Sequence, residues 1–192
     1  MIEVLKRWDA ELFFLINDQH TNGLDPLMYW LSQTEVWIPL FLFLIYLIVV
    51  NFRKQSWLII GLILITVAAS DQVTSGLMKP IFHRFRPSHD PALEPVVHVV
   101  YDYRGGQYGF ASSHAANTMA VATFFYLLFR DRYRKIKWMF LWTFINCYTR
   151  VYLGVHFPGD ILVGAVIGWL LGWGGFEVLQ ILRFRQKTAS GT

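Results

Sequence analysis

Three short runs in this chain combine residue types and spacing suited to handling a phosphate: Lys79 with Arg86-Pro87, then Ser112-Ser113-His114, then Arg150 with His156 and Asp160. Lys79, Arg86 and Arg150 offer cations to anionic oxygens. Arg150 stands near the end of an apolar stretch, where a charge is costly unless it meets a polar cavity or a partner. Ser112 reads as a helix N-cap, and the free N–H groups of a first helical turn bind anionic oxygens beside His114. Pro158-Gly159 forces a turn after His156, so Asp160 can cap the next helix and also accept from one ring N–H of His156. A histidine held in that way keeps its other nitrogen free to attack. Taken singly, each run has a plainer reading: cations snorkelling at helix ends, a serine cap, a histidine in a turn.

Composition sets the elements that must hold these runs. Of 192 residues, 55% are hydrophobic and 16% charged, against about 25% charged in an average soluble domain. One core of this size cannot hide so much apolar surface, which points to a single membrane-embedded domain, 1–192. The expected fold class is all-α, a polytopic membrane helix bundle of five or six transmembrane helices with N-terminal interfacial helices. Five stretches are apolar enough to cross a bilayer: 36–52, 57–78, 113–129, 136–153 and 161–182. Trp37, Trp57, Trp138 and Tyr152 fall near their ends, as interfacial aromatic belts do.

Ten of the 17 Lys and Arg flank these stretches, in three clusters: Arg53 and Lys54; Arg130, Arg132, Arg134, Lys135 and Lys137; Arg183, Arg185 and Lys187. That is the positive-inside pattern of cytoplasmic loops, so the formal charge of +4 does not indicate a nucleic-acid partner. Placing the clusters inside sends all three phosphate-handling runs to the external side. The single Cys147 excludes an internal disulfide framework. Lys6 and Arg7 are followed at once by Asp9 and Glu11, so no secretory signal is evident.

Segment 1–35 reads as two short interfacial helices, the first with Leu5, Trp8, Leu12, Leu15 and Ile16 at helical spacing. The bundle then covers about 36–182, and 183–192 forms a cytoplasmic tail. Gly164, Gly168 and Gly172 make a small-residue ridge, read as packing against a neighbouring helix rather than as a dimer face. Asp71 inside the second stretch can neutralise a buried cation or serve helix packing alone, and a structural pairing is favoured. His83, His89 and His98 read as surface histidines. The loop from Ile81 to Phe110 carries Tyr101, Tyr103 and Tyr108 and is a candidate lid.

Together the three runs resemble the type-2 phosphatidic acid phosphatase family, membrane lipid phosphatases that share a site with vanadium haloperoxidases. The family pattern is Lys-x6-Arg-Pro, Pro-Ser-Gly-His and Ser-Arg-x5-His-x3-Asp. Here it reads Lys79 to Arg86-Pro87, Ala111-Ser112-Ser113-His114 and Thr149-Arg150 to His156 to Asp160. Ala111, Ser113 and Thr149 depart from it. The resemblance implies His156 as nucleophile, Asp160 as its orienting partner, and His114 as acid and then base. It also implies a phosphate held by Lys79, Arg86, Arg150, Ser112 and Ser113, with a phosphohistidine intermediate.

No cofactor is expected and no metal, since a site rich in Lys and Arg repels a dication. The expected partner is a membrane lipid phosphate, with the chain a monomer or weak homodimer in a bacterial inner membrane, its site facing the periplasm or exterior. Undecaprenyl diphosphate is the favoured substrate. Phosphatidylglycerol phosphate, phosphatidic acid and lipid A 1-phosphate are alternatives, and a non-catalytic lipid-phosphate binder is the rival from another class.

Overall fold

The computed structural model describes the backbone of residues 2–190 and the side chains of residues 3–185. Among these the chain is helical apart from loops and an isolated Phe85–Tyr108 bridge. The helices are α1 (Ile2–Asn17), α2 (Leu24–Ser32), α3 (Ile38–Phe52), α4 (Ser56–Asp71), α5 (Lys79–Phe82), α6 (Ser113–Phe129), α7 (Met139–Tyr152) and α8 (Pro158–Ser190). A π-helical segment, Gln72–Met78, joins α4 to α5. Among the described residues, two stretches are long and apolar enough to cross a membrane, Thr34–Phe82, which holds α3 and α4, and Pro158–Arg185, so the expected count of five or six is not established.

α6 is the central element and packs mainly against α8, with α7 and α4 on its other sides. The glycine ridge explains this closeness. A Cβ on Gly164, Gly168 or Gly172 would collide with the carbonyls of Ser112, Ala116 and Ala120 on α6. The ridge is therefore an intramolecular packing face, as expected. On α8 the outward side carries Leu162, Val166, Trp169 and Trp173, all exposed. Glycine inside and large apolar residues outside reverse the arrangement of a soluble protein, as lipid contact requires. A core of Leu44, Ile48, Ile59, Phe124, Phe129 and Leu179 fills the end of the bundle away from the sequence motifs.

That same end gathers the basic clusters. Arg132 donates to Asn51, and Arg183 donates to Gln55 at 3.0 Å while lying over the Phe52 ring. Lys187 and the rest of 186–192 lie outside the described side chains, and the α8 backbone continues to Ser190. The Pro80 to Ser112 loop, the His156 turn and α1–α2 sit at the other end.

Segment 1–35 folds as the two short helices expected, broken after Asn17. Leu5, Trp8, Leu12 and Leu15 face outward, while Asp9, Phe13 and Asn17 face the bundle. Asn17 clamps two distant segments, donating to the carbonyls of His98 and Tyr152 and accepting from the His98 N–H. Two expectations need correction here. Tyr152 is fully buried, its hydroxyl bonded to Asp25 at 2.7 Å, so it does not belong to an interfacial belt. His98 is not a surface histidine, since it pairs with Asp25 at 3.0 Å and stacks on His20.

Candidate active site

All eight residues singled out by the motifs gather at one end of α6, on two walls. The first wall rises from the α4–α5 segment and the start of α6. Here Lys79 Nζ donates to Ser113 Oγ at 2.9 Å and to Ser75 Oγ at 3.2 Å. The two serine hydroxyls share a 2.7 Å bond, and Ser75 reaches Asp71 at 3.3 Å. Asp71 thus anchors a chain that ends on Lys79, the structural pairing expected of it. Thr74 hydrogen-bonds back to the Ser70 carbonyl, and such back-bonding competes with regular α-helical turns where the π segment begins. Ser112 caps α6, its hydroxyl accepting from Ala115 N–H at 3.5 Å, and His114 follows in the first turn.

Lys79, Arg86, Ser113 and His114 open onto a cavity of about 580 Å³ that runs down between α3, α4, α6 and α7. Its upper end is polar and cationic. Its lower end is lined by Phe41, Ile48, Ile60, Ile63 and Phe125. A cavity charged at one end and apolar at the other has the shape and polarity of an amphiphile.

The second wall is the turn between α7 and α8, and it is buried. Val155, His156 and Phe157 follow Gly154, whose positive φ of 75° and contact with the His98 carbonyl leave no room for a side chain. His156 Nδ1 faces Asp160 Oδ2 at 3.4 Å, and the same oxygen accepts from Phe157 N–H at 3.1 Å. Asp160 Oδ1 accepts from Arg84 at 2.9 Å, and Arg84 also pairs with Asp9 at 2.6 Å while lying over the Phe157 ring. Asp9 in turn accepts from Gly159 N–H at 2.7 Å, capping the start of α8.

The cations differ in how well they are satisfied. Arg86 donates to the carbonyls of Tyr108 and Val155. Burial, with Arg150 nearby, lowers its pKa to about 10, so it stays charged at neutral pH. Arg150 is 2% exposed, and its Nη2 donates to the Tyr103 hydroxyl at 2.8 Å. Its Nε and Nη1 are buried with no hydrogen-bond partner. Burial first, then the charges of Arg86, Arg150 and Lys79, hold the His156 imidazole well below its ordinary pKa. His156 is therefore neutral across the physiological range, its Nδ1 side occupied by Asp160.

Comparison with known proteins bears on this arrangement. Residues 56–184 match the model of the PAP2 superfamily. The chain is 37% identical over 175 residues to the lipid A 4'-phosphatase of Bacteroides thetaiotaomicron, covering 90% of this chain and 77% of that one. It is 34% identical over 192 residues to the lipid A 4'-phosphatase of Porphyromonas gingivalis, covering 98% and 80%. This chain belongs to the PAP2 superfamily. The crystal structure of Aquifex aeolicus LpxE superposes with a TM-score of 0.69 at 28% identity, covering 88% of this chain and 94% of that one. The protein is accordingly a membrane PAP2 phosphatase, a hydrolase acting on lipid phosphate.

Two departures from the PAP2 pattern have visible consequences. Ser113, where the pattern has glycine, uses its hydroxyl to hold Lys79 and Ser75. Thr149 turns its hydroxyl to the Asn146 carbonyl at 2.7 Å, away from the cations. Sequence reasoning also missed partners. Arg84 lies close in sequence to Lys79 and Arg86, but nothing local marks its link to Asp160, and Asp9 lies 151 residues from Asp160 along the chain. Gly109 is a further omission. A Cβ there would sit 2.8 Å from Asp160 Oδ2 and 3.5 Å from His156 Nδ1, so only glycine lets the outer loop cover that pair. The candidate lid is tied down: Ser88 N–H bonds Gly154, Gly109 N–H bonds Arg84, and Tyr103 sits on Arg150.

Proposed function

We propose that this phosphatase removes a phosphate monoester from an acylated sugar lipid of the lipid A type, through a phosphohistidine at His156 and without a metal ion. The observation that carries the reading is the buried Arg150, whose Nε and Nη1 lack partners beside a neutral His156 held at Nδ1. Two free N–H groups on one planar guanidinium suit two phosphate oxygens. Lys79 and Arg86 bind the others, with Ser112, Ser113 and the first-turn N–H groups of α6 completing the cradle.

In the first step His156 Nε2 attacks phosphorus, the bond to the lipid oxygen breaks, and His114 gives that oxygen a proton. The phosphate's own negative charge offsets the three cations and favours a protonated His114. In the second step His114 takes a proton from water, whose oxygen attacks phosphorus. The P–N bond breaks, phosphate leaves, and His156 is regenerated. The cations stabilise charge on the equatorial oxygens in both transition states.

The substrate class follows the lipid A 4'-phosphatases that the chain resembles, ahead of the undecaprenyl diphosphate favoured by motif reasoning. Five helical crossings with the basic end in the cytoplasm would bring the site to the periplasmic face of a bacterial inner membrane, at the level of lipid headgroups. The reading keeps the chain a monomer or weak homodimer, any dimer using a face other than the glycine ridge, which packs within the chain.

Purified protein in EDTA should release phosphate from a diacylated glucosamine 4-phosphate, and His156→Ala should lower that rate by about 10⁴-fold or more. Undiminished turnover by the variant would remove the nucleophile assignment. Loss of wild-type turnover in EDTA would remove the metal-free mechanism.

A further inference from the structure

The cavity is zoned along its helices, and its middle zone has no role in the chemistry above. On α6 the lining residues are His114, then Asn117 and Thr118, then Val121 and Phe125. On α7 they are Asn146 and Trp142, on the same helical face as Arg150 at spacings of four and eight residues. With a rise of about 1.5 Å per residue, Asn117 lies roughly one turn below His114, and Trp142 roughly two turns below Arg150. Neutral hydrogen-bonding groups therefore follow the cationic mouth, the lowest of them the indole of Trp142, whose ring joins the apolar cluster of the floor.

Not all of these groups are satisfied within the protein. Asn117 Oδ1 is buried without a donor, and the indole Nε1–H of Trp142 is buried without an acceptor. Trp142 is only 6% exposed and packs edge-on against Trp37 and Phe41 across the cavity. Their neighbours are accounted for: Thr118 bonds the His114 carbonyl, and Asn146 Nδ2 bonds the Trp142 carbonyl. Buried donors and acceptors are nearly always paired, and an unpaired acceptor and an unpaired donor lining the same cavity call for a ligand carrying both.

We propose that Asn117 and Trp142 form a specificity subsite for the polar spacer between the phosphate and the fatty chains, one presenting an N–H or O–H to Asn117 and a carbonyl to Trp142. An N-acylated sugar meets both demands within about one to two helical turns of its phosphate. Phosphatidic acid presents ester acceptors only. A polyprenyl diphosphate presents neither, since hydrocarbon begins directly beyond its phosphates. The subsite rests on the phosphatase reading above and narrows it to lipids with an amide-bearing or hydroxylated head.

The test compares full-length wild type, Asn117→Leu and Trp142→Phe in detergent on three substrates: diacylated glucosamine 4-phosphate, phosphatidic acid and undecaprenyl diphosphate. Wild type should prefer the glucosamine lipid. Asn117→Leu should raise KM for it by about tenfold, and Trp142→Phe by about fivefold, with kcat within twofold. Turnover of undecaprenyl diphosphate should hold or improve in both variants. Equal losses on all three substrates, or no change in the ranking, would overturn the subsite while leaving the phosphatase reading intact. A wild type that hydrolyses only undecaprenyl diphosphate would overturn the subsite and the sugar-lipid assignment together. A wild type inactive on every lipid phosphate would remove the reading beneath them.

Discussion

The two histidine walls are built on opposite principles. His156 sits in a turn with Asp160, Arg84 and Asp9 behind it, each group bonded to the next and nearly all of it buried. His114 stands at the mouth of the cavity, with its helix capped beneath it and open volume in front. A nucleophile gains from being fixed in one tautomer and one direction before substrate arrives. A general acid must reach a leaving oxygen whose position depends on the lipid, and it gains from room. On the mechanism proposed above, the contrast assigns the rigid side of this site to attack and the open side to departure.

The sharpest way to break that comparison is to vary the leaving group. With a lipid alkoxide leaving, His114→Ala should lower kcat/KM, which reports the phosphorylation step, by about 10³-fold, within the usual range for loss of a general acid. With p-nitrophenyl phosphate, whose phenolate needs no proton, the loss in kcat/KM should shrink to about tenfold. His156→Ala should be equally damaging on both substrates. Rapid-quench trapping of phosphoenzyme checks this directly: His114→Ala should accumulate it from p-nitrophenyl phosphate, because hydrolysis then lacks its base, and His156→Ala should form none. Equal leaving-group sensitivity in the two variants would dissolve the distinction between the walls.

Much of this was legible in the chain, for identifiable reasons. Lys79, Arg86, Ser112, His114, Arg150, His156 and Asp160 are functional types at helix ends, so their spacing survives as a linear pattern. The longer helices α3, α4, α6 and α8 were legible as largely apolar runs. What escaped were contacts across long sequence separations. Nothing local marks Asp9 as the partner of Arg84, because an acid on a short amphipathic helix is most simply read as its polar face. The apolar stripe of α1 with Leu5 and Trp8 faces outward, while the contacts that reach the rest of the chain lie on the other side, at Asp9 and Asn17. Ser113 escaped for a different reason. Its hydroxyl is used by Lys79, which only the packing of α4–α5 beside α6 brings near.

The Asp9–Arg84–Asp160 chain sharpens the comparison at intermediate effect size. Arg84→Met leaves Asp160 Oδ1 buried without its cation, so the carboxylate no longer has a fixed position against His156. We expect kcat to fall by about 30-fold with KM unchanged, and Arg84→Lys to recover part of the loss. Asp9→Asn keeps an acceptor for Gly159 N–H but removes the ion pair, and should cost about three- to fivefold in kcat. A purely structural role would instead lower the thermal midpoint without separating kcat from KM, and would leave Arg84→Lys no better than Arg84→Met.

The smallest effect concerns protonation rather than rate. An imidazole free in water titrates near 6.5, whereas burial and the neighbouring cations hold His156 well below that. In substrate-free protein labelled with ¹⁵N-histidine, the His156 ring should stay neutral at pH 5.5, identified by the signal lost in His156→Gln. The sign for stability follows from the same shift. The unfolded chain takes up this proton first as pH falls, so the native state loses stability progressively below about 6.5 and gains nothing above it. Arg86→Met removes one cation and leaves the burial in place, so the pKa of His156 should rise part of the way. A full return to 6.5 in that variant would mean that charge rather than burial keeps the nucleophile neutral, and the rigid wall would then owe its chemistry to the open one.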